Sequence, residues 1–263
     1  MMFAFLIDPT TLILIVSAFI AGIIDSIAGG GGLITIPILL LTGVQPITAL
    51  GTNKLQSLFG SFSATLAYAR AGQVNIYKQW NQALLAFIGS VIGAMMAFLL
   101  PITVLQIFLP FLLIIVALYF TLKPNLNDVD KAQRIRPILF ACIIVPIIGF
   151  YDGIFGPGAG SFYMLAFIGL AGYGILKATA HTKLLNFTSN LGGFLTFAFI
   201  GSIDFRIGLV MGVAQFIGAQ IGAQLALRTG AKLIKPLLVI ISLILAIKLL
   251  SDPHNPLRIF LHL

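Results

Sequence analysis

Gly22-Ile23-Ile24-Asp25-Ser26-Ile27-Ala28-Gly29-Gly30-Gly31-Gly32 decides how this chain is read, because its pattern is written twice. Gly22-x-x-Asp25-x-Ile27-x-Gly29-x-Gly31 returns 127 residues later as Gly149-x-x-Asp152-x-Ile154-x-Gly156-x-Gly158. Beyond it the echo runs at a spacing of 129. Ala49 and Lys54-Leu55 return as Ala178 and Lys183-Leu184, and Gly72 returns as Gly201. Phe87-Ile88-Gly89-x-x-Ile92-Gly93-Ala94 returns as Phe216-Ile217-Gly218-x-x-Ile221-Gly222-Ala223.

The surroundings of both copies are almost purely apolar. Of 263 residues, 59% are hydrophobic and 8% charged, against about 25% charged in a soluble domain. Residues 79–122, 184–203 and 207–227 carry no charge, and a helix needs roughly 20 apolar residues to cross a bilayer. The expected fold class is therefore an all-α polytopic membrane protein. The alternating ten-residue strands of a membrane β-barrel are not found. The first apolar run, 11–41, precedes the first basic residue, Lys54, so it does not read as a cleavable signal, whose short apolar core follows a basic segment.

Eight hydrophobic elements are expected: 11–42 broken at 29–32, 46–69, 79–100, 103–122, 137–170 broken at 156–160, 178–200, 207–227 and 234–250. They divide into a first transmembrane repeat over 1–122, a hydrophilic linker over 123–136 and a second repeat over 137–263. With eight crossings, loop charge favours an N-terminus in the cytoplasm, with Arg70, Lys78 and the linker cations inside. The cluster Arg228, Lys232 and Lys235 then falls outside and argues against that count. If each glycine-broken element instead dips in and returns, each repeat has an odd number of crossings and the two are inverted. The sequence leaves parallel and inverted arrangements open.

The net charge of +8 comes from scattered loop residues, without aromatic interleaving, so no nucleic-acid partner is expected. Cys142 stands alone in an apolar stretch and reads as a small buried side chain. No cofactor, metal site or catalytic group is expected. An intramembrane enzyme would need a nucleophile with its base, a carboxylate pair or a metal cluster. Asp25 and Asp152 are its sole candidates, since the chain has no Glu.

A break of consecutive glycines survives in hydrocarbon only where protein or a water-filled cavity takes up the freed backbone groups. The helix that restarts after it offers N–H groups and a positive dipole end to an anion. Gly30, Gly31 and Gly158 are the glycines expected at such a site, although small residues also serve plain helix packing. That packing role is the one expected for Gly89, Gly93, Gly218 and Gly222. Asp25 and Asp152 are costly intramembrane charges. Proton coupling would explain keeping one in each copy, as would capping of the broken backbone. Lys54 and Lys183 follow each break, in Thr52-Asn53-Lys54 and Thr182-Lys183. Ser57 shares a helical face with Lys54, as Asn186 does with Lys183. A cation beside hydroxyl and amide donors suits a small oxyanion. The substrate-binding set expected is Lys54, Lys183, Thr52, Asn53, Thr182, Ser57, Asn186, Gly30, Gly31 and Gly158, although a lysine near a helix end can also snorkel to the headgroups.

These residues resemble the TauE/SafE family of bacterial membrane permeases, the sulfite exporter or toluene-sulfonate uptake permeases. The likeness rests on Gly22-x-x-Asp25-x-x-x-Gly29-Gly30-Gly31-Gly32-Leu33-Ile34-x-Ile36-Pro37, Ala49-Leu50-Gly51-Thr52-Asn53-Lys54 and Ala67-Tyr68-x-Arg70-x-Gly72-x-Val74 in the first half. Gly153-x-x-Gly156-x-Gly158 and His181-Thr182-Lys183 carry it in the second. The resemblance implies a multi-pass permease of the bacterial inner membrane for sulfur-containing oxyanions or organosulfonates, with its site at the repeat interface. A duplicated, glycine-broken unit carrying charges in each copy fits a secondary transporter independently of that likeness. A passive channel or a membrane assembly factor is the alternative. The partners expected are a small anionic substrate and the lipid bilayer, with self-association into a homo-oligomer left open.

Overall fold

The computed structural model describes residues 8–99, 118, 122 and 127–251. Among these, every regular element is a helix. The first half holds α1 (Pro9–Ala28), α2 (Gly32–Leu41), α3 (Pro46–Arg70) and α4 (Trp80–Ala97). The second holds α5 (Pro137–Ile154), α6 (Ala159–Gly169), α7 (Ile175–Ile200), α8 (Phe205–Thr229) and α9 (Ala231–Ser251). The helices α1, α4, α5 and α8 are each long and apolar enough to cross a membrane, and the chain is a multi-pass membrane protein. The expected element over 103–122 lies outside the described residues except at Leu118 and Leu122.

Local sequence explains the boundaries. Asp8 caps α1 by accepting from the Thr10 and Thr11 N–H groups at 3.1 and 3.3 Å, with Pro9 in the first turn. The helix stops at Gly29, whose φ of +78° suits a residue without a Cβ. In α5, Phe140–Ile144 forms a π-turn just before Pro146. A proline ring crowds the carbonyl four residues back and has no N–H to give it, and one wider turn absorbs the conflict. Cys142, expected inside, faces outward from this turn. In a membrane span that is the lipid side, where a small thiol is as well accommodated as in a core.

Side-chain and backbone contacts fix the helix directions. Gly31 lies against Ala21 and Asp25, so the chain doubles back at the first break. Thr35 on α2 bonds Asn53 on α3, and Gly32 also faces Asn53, while Ile36 clusters with Leu50. The helix α2 therefore runs against α3. In the second half, Tyr163 donates to the Val145 carbonyl and Phe167 packs on Phe140, so α6 runs back along α5. Each glycine-broken element is thus a re-entrant hairpin. The helices α3 and α7 are antiparallel: Lys54 lies against Gly193, and Gly51 against Phe197 and the Ser202 carbonyl.

These directions decide for re-entrant glycine-broken elements over eight crossings. The hairpin α1–α2 makes no net crossing, so α1 starts at the face opposite to Arg70. The loop after Arg70, the linker at 127–136, the α6–α7 loop and the α8–α9 junction meet at one face. Asp128 joins them by accepting from the Leu176 N–H at 3.0 Å and the Ala231 N–H at 3.1 Å. Arg228, Lys232 and Lys235 consequently share a face with Arg70, Lys78, Lys131, Arg134, Arg136 and Lys177. The opposite face holds Asp8, Asp204 and Arg206 among the described residues.

The two halves interleave rather than sit side by side. The helix α4 of the first half lies along α5 of the second, and α8 of the second lies along α1 of the first. Both contacts are set by the glycines read as packing residues. A Cβ at Gly89 or Gly93 would overlap the Pro146 or Phe150 carbonyl, and one at Gly218 or Gly222 the Phe19 or Ile23 carbonyl. Removing the side chain lets backbone approach backbone, the way helices gain contact where water gives no driving force.

Candidate functional site

The two glycine breaks cross at the centre of the molecule. A Cβ on Gly160 would lie 3.0 Å from the Gly29 Cα, and Ser161 Oγ donates to the Ala28 carbonyl at 3.0 Å. Around this crossing the two lysines exchange halves. Lys54 Nζ, from the first half, reaches Asp152 Oδ1 of the second at 2.6 Å and also donates to the Asp152 carbonyl. Lys183 Nζ, from the second half, reaches Asp25 Oδ2 of the first at 3.2 Å and donates to the Asp25 carbonyl. Each ammonium therefore satisfies both a carboxylate and a C-terminal carbonyl of a broken helix, where the dipole is negative. Both lysines and both aspartates are buried. The snorkelling role considered for the lysines does not apply, since each ammonium turns inward.

The pairs differ in detail. Asp152 holds donors on both oxygens, Lys54 on Oδ1 and Ser189 Oγ on Oδ2. Asp25 accepts the Gly31 N–H on Oδ1 at 3.1 Å, which caps the start of α2, and Lys183 on Oδ2. Its side chain keeps 11% exposure against 2% for Asp152, and both carboxylates border one cavity.

That cavity measures about 20 Å³ and is lined by Asp25, Gly30–32, Asn53, Ser57, Asp152, Gly156, Gly158, Gly160, Asn186 and Asn190. A volume near 10–15 Å³ is enough for one water, so the cavity has room for little more than one, and its lining is mostly polar. The lining brings Gly30, Gly31, Gly158, Asn53, Ser57, Asn186, Asp25 and Asp152 to one place. Lys54 and Lys183 stand behind the two carboxylates. Asn186 Oδ1 is buried without a partner.

Two members of the expected set are elsewhere. Thr52 Oγ1 accepts the Asp204 N–H at 2.9 Å and ties α3 to the α7–α8 loop. Thr182 Oγ1 is buried, unpartnered and not on the cavity. Thr182 is one residue from Lys183 and Thr52 two from Lys54, and each step along a helix turns the side chain by about 100°. Gly156, Gly160 and Asn190 belong to the lining and were not in that set. Asn190 matches Ser61 at the repeat offset and sits one turn beyond Asn186 on the face of Lys183, as its sequence position indicates.

No solved structure matches this chain. Among curated proteins, it is 60% identical over 248 residues to a protein of a Sinorhizobium species described as "Probable membrane transporter protein ORF9", covering 94% of this chain and 95% of that one. It is 47% identical to the Escherichia coli K12 "Probable membrane transporter protein YfcA", over 95% of this chain and 94% of the relative. A Haemophilus influenzae protein described as "Probable membrane transporter protein" is 43% identical, over 91% of this chain and 94% of that one. The family model described as "Sulfite exporter TauE/SafE" matches residues 14–249. The chain belongs to the TauE/SafE family of membrane transporters.

Proposed function

We propose that this permease is a secondary transporter of small anions, most suitably sulfur-containing oxyanions or organosulfonates, and that it binds them where its two halves cross. The observation that carries this reading is the exchange of lysines across the glycine breaks. Two buried ammonium groups stand beside a polar cavity, each neutralised by the other half's aspartate. An anion entering the cavity competes with those aspartates for the same cations. Protonating Asp25 or Asp152 frees a lysine for the anion, which couples anion movement to proton movement. Asn53, Ser57 and Asn186 supply donors, and the N-termini of α2 and α6 add N–H groups.

Parting the halves breaks each crossed pair, because each lysine and its aspartate belong to different halves. Alternating access then consists of helices moving about the fixed site so that it opens to each face in turn. The described residues have no phosphate-binding loop, so an ion gradient drives the cycle. No bond is made or broken in the substrate, so the protein is not an enzyme. The family name supports a sulfur oxyanion as the substrate. Nine cationic side chains at one face support a cytoplasmic location for it and an inner-membrane setting.

Thermal stabilisation of the detergent-purified protein across an anion panel tests the reading. Sulfite and sulfoacetate are expected to raise the melting temperature of the wild type and to lose most of that effect in Lys54→Ala and Lys183→Ala. Equal shifts in wild type and both variants would remove the lysines from the site.

A further inference from the structure

The two halves are not chemically equal at their carboxylates. The second oxygen of Asp152 takes the hydroxyl of Ser189. Counting back 129 residues from Ser189 gives Gly60, which has no side chain to offer. The space is filled from another helix. A Cβ at Gly60 would lie 2.8 Å from both Cγ and Nε2 of Gln215 on α8. The same residue's backbone carbonyl presses on Gly22, one turn before Asp25 on α1. Gln215 is 0% exposed, and its amide nitrogen and oxygen both lack a partner. Its own counterpart in the other half is Ala86, which touches Gly149 as Gln215 touches Gly22 but carries no amide.

A fully buried amide with neither atom paired is disfavoured unless a partner arrives at some stage. By the correspondence of Gly60 with Ser189, that partner would be the Asp25 carboxyl, one turn beyond Gly22. We infer that Gln215 is a positioning residue for Asp25: when Lys183 turns to the transported anion, the Gln215 amide takes over the Asp25 carboxyl that Lys183 has released. An amide can do this in either protonation state, donating N–H to a carboxylate or accepting O–H from the acid through its oxygen. Asp152 has no such acceptor of its load. Ser189 and Lys54 hold it by two side chains at once, whereas Asp25 has one side-chain donor, Lys183, beside the Gly31 N–H, so on this inference the first half supplies the moving carboxyl and the second a fixed one. This inference rests on the proposed anion site for the role of Lys183, but the hydrogen bond itself can be measured without any substrate.

The test uses full-length protein in nanodiscs. Lys183→Met imitates departure of the lysine. Infrared spectra with isotope-labelled aspartate report the Asp25 carboxyl band, assigned by its loss in Asp25→Asn. In Lys183→Met the band is expected to show a carboxyl bonded on both oxygens, and Lys183→Met with Gln215→Leu is expected to shift it to one held by the Gly31 N–H alone. Adding Gly60→Ser to a Gln215→Ala variant rebuilds the Ser189 arrangement and is expected to restore the bonded band. Should Lys183→Met not fold, Gln215→Ala and Gln215→Ala/Gly60→Ser are compared in sulfite transport. Gln215→Ala should lower the maximal rate roughly tenfold, the size of one hydrogen bond to a charged group, with KM within about twofold, and Gly60→Ser should recover it. An Asp25 band indifferent to Gln215, or a transport defect that Gly60→Ser leaves untouched, would overturn the inference. A wild type that carries no sulfite while the Asp25 band follows Gln215 would instead count against the proposed substrate.

Discussion

Replacing Lys54 by methionine should destabilise the protein far more than removing one side chain's packing would. The ammonium is buried and 2.6 Å from an equally buried carboxylate, and its stem lies against Gly193. Methionine keeps the stem, so the packing loss is small. What remains is Asp152 with one oxygen on Ser189 and a charge without its counter-ion. Breaking a buried pair in this way costs about 3–5 kcal/mol, whereas replacing both partners by neutral groups of similar shape is close to neutral. Lys54→Met alone should therefore lose most of that amount in reversible denaturation in mixed micelles. Lys54→Met/Asp152→Asn should recover most of it. The informative control is Lys54→Met/Asp25→Asn, which removes the aspartate of the same half. It should recover nothing, because Asp25 pairs with Lys183, and should fall further as Lys183 loses its partner. Recovery by Asp25→Asn instead of Asp152→Asn would refute the exchange of lysines between halves.

Three further expectations follow from the same structure. Gly93→Val should destabilise by at least the 1–3 kcal/mol typical of overpacking, since its side chain would enter the Phe150 carbonyl of α5, whereas Gly72→Ala, with open space around it but φ +71°, should cost only about 1 kcal/mol; the same denaturation assay separates them. In a Cys142→Ser background, cysteines at 78 and 177 should be labelled by an impermeant maleimide from the cytoplasmic side and a cysteine at 202 from the other, and labelling of all three from one side would contradict the re-entrant topology. At the linker, slight burial pushes the Asp130 carboxyl up, but the Gly174 N–H and the Lys177 ammonium outweigh it and hold the group below its ordinary 3.8. The folded value is depressed, so the linkage stabilises fully above 3.8 and fades as pH falls through the lower folded value. Proteolytic nicking at 127–136 should accordingly stay constant from pH 7 to about 4.5 and rise only below 3.8, and an increase near neutrality would count against this clasp.

Much of this architecture was legible because membrane sequences announce their helices by length and apolarity alone. The ends of α3 and α7 fall within a few residues of the expected elements, and both breaks lie at the repeated glycines. Direction was the harder matter. A glycine run says that a helix stops, but the same residues permit a kinked crossing or a return. Only contacts such as Tyr163 with Val145 decide for return. The charge cluster at Arg228–Lys235 was the sole hint, and it acquires its meaning once α1–α2 is a hairpin. At the site, the repeat offset picked out Asp25, Asp152, Lys54 and Lys183 but could not say which lysine meets which aspartate. Pairing is a property of how the halves interleave, and that depends on backbone contacts at Gly89, Gly93, Gly218 and Gly222 far along the chain. Gln215 was illegible for a related reason: its counterpart is Ala86, so a search for residues present in both halves passes over it.

The central claim is that the crossed lysines serve a proton-coupled anion site. Its most direct test is uptake of labelled sulfite, sulfoacetate and sulfate into proteoliposomes, with and without an imposed pH gradient, for wild type and Lys54→Met/Lys183→Met. The account predicts saturable uptake of at least one sulfur oxyanion, accelerated by the gradient, showing counterflow and absent in the double variant. Saturable uptake that ignores the gradient and survives loss of both lysines, in protein shown to be folded, would contradict it.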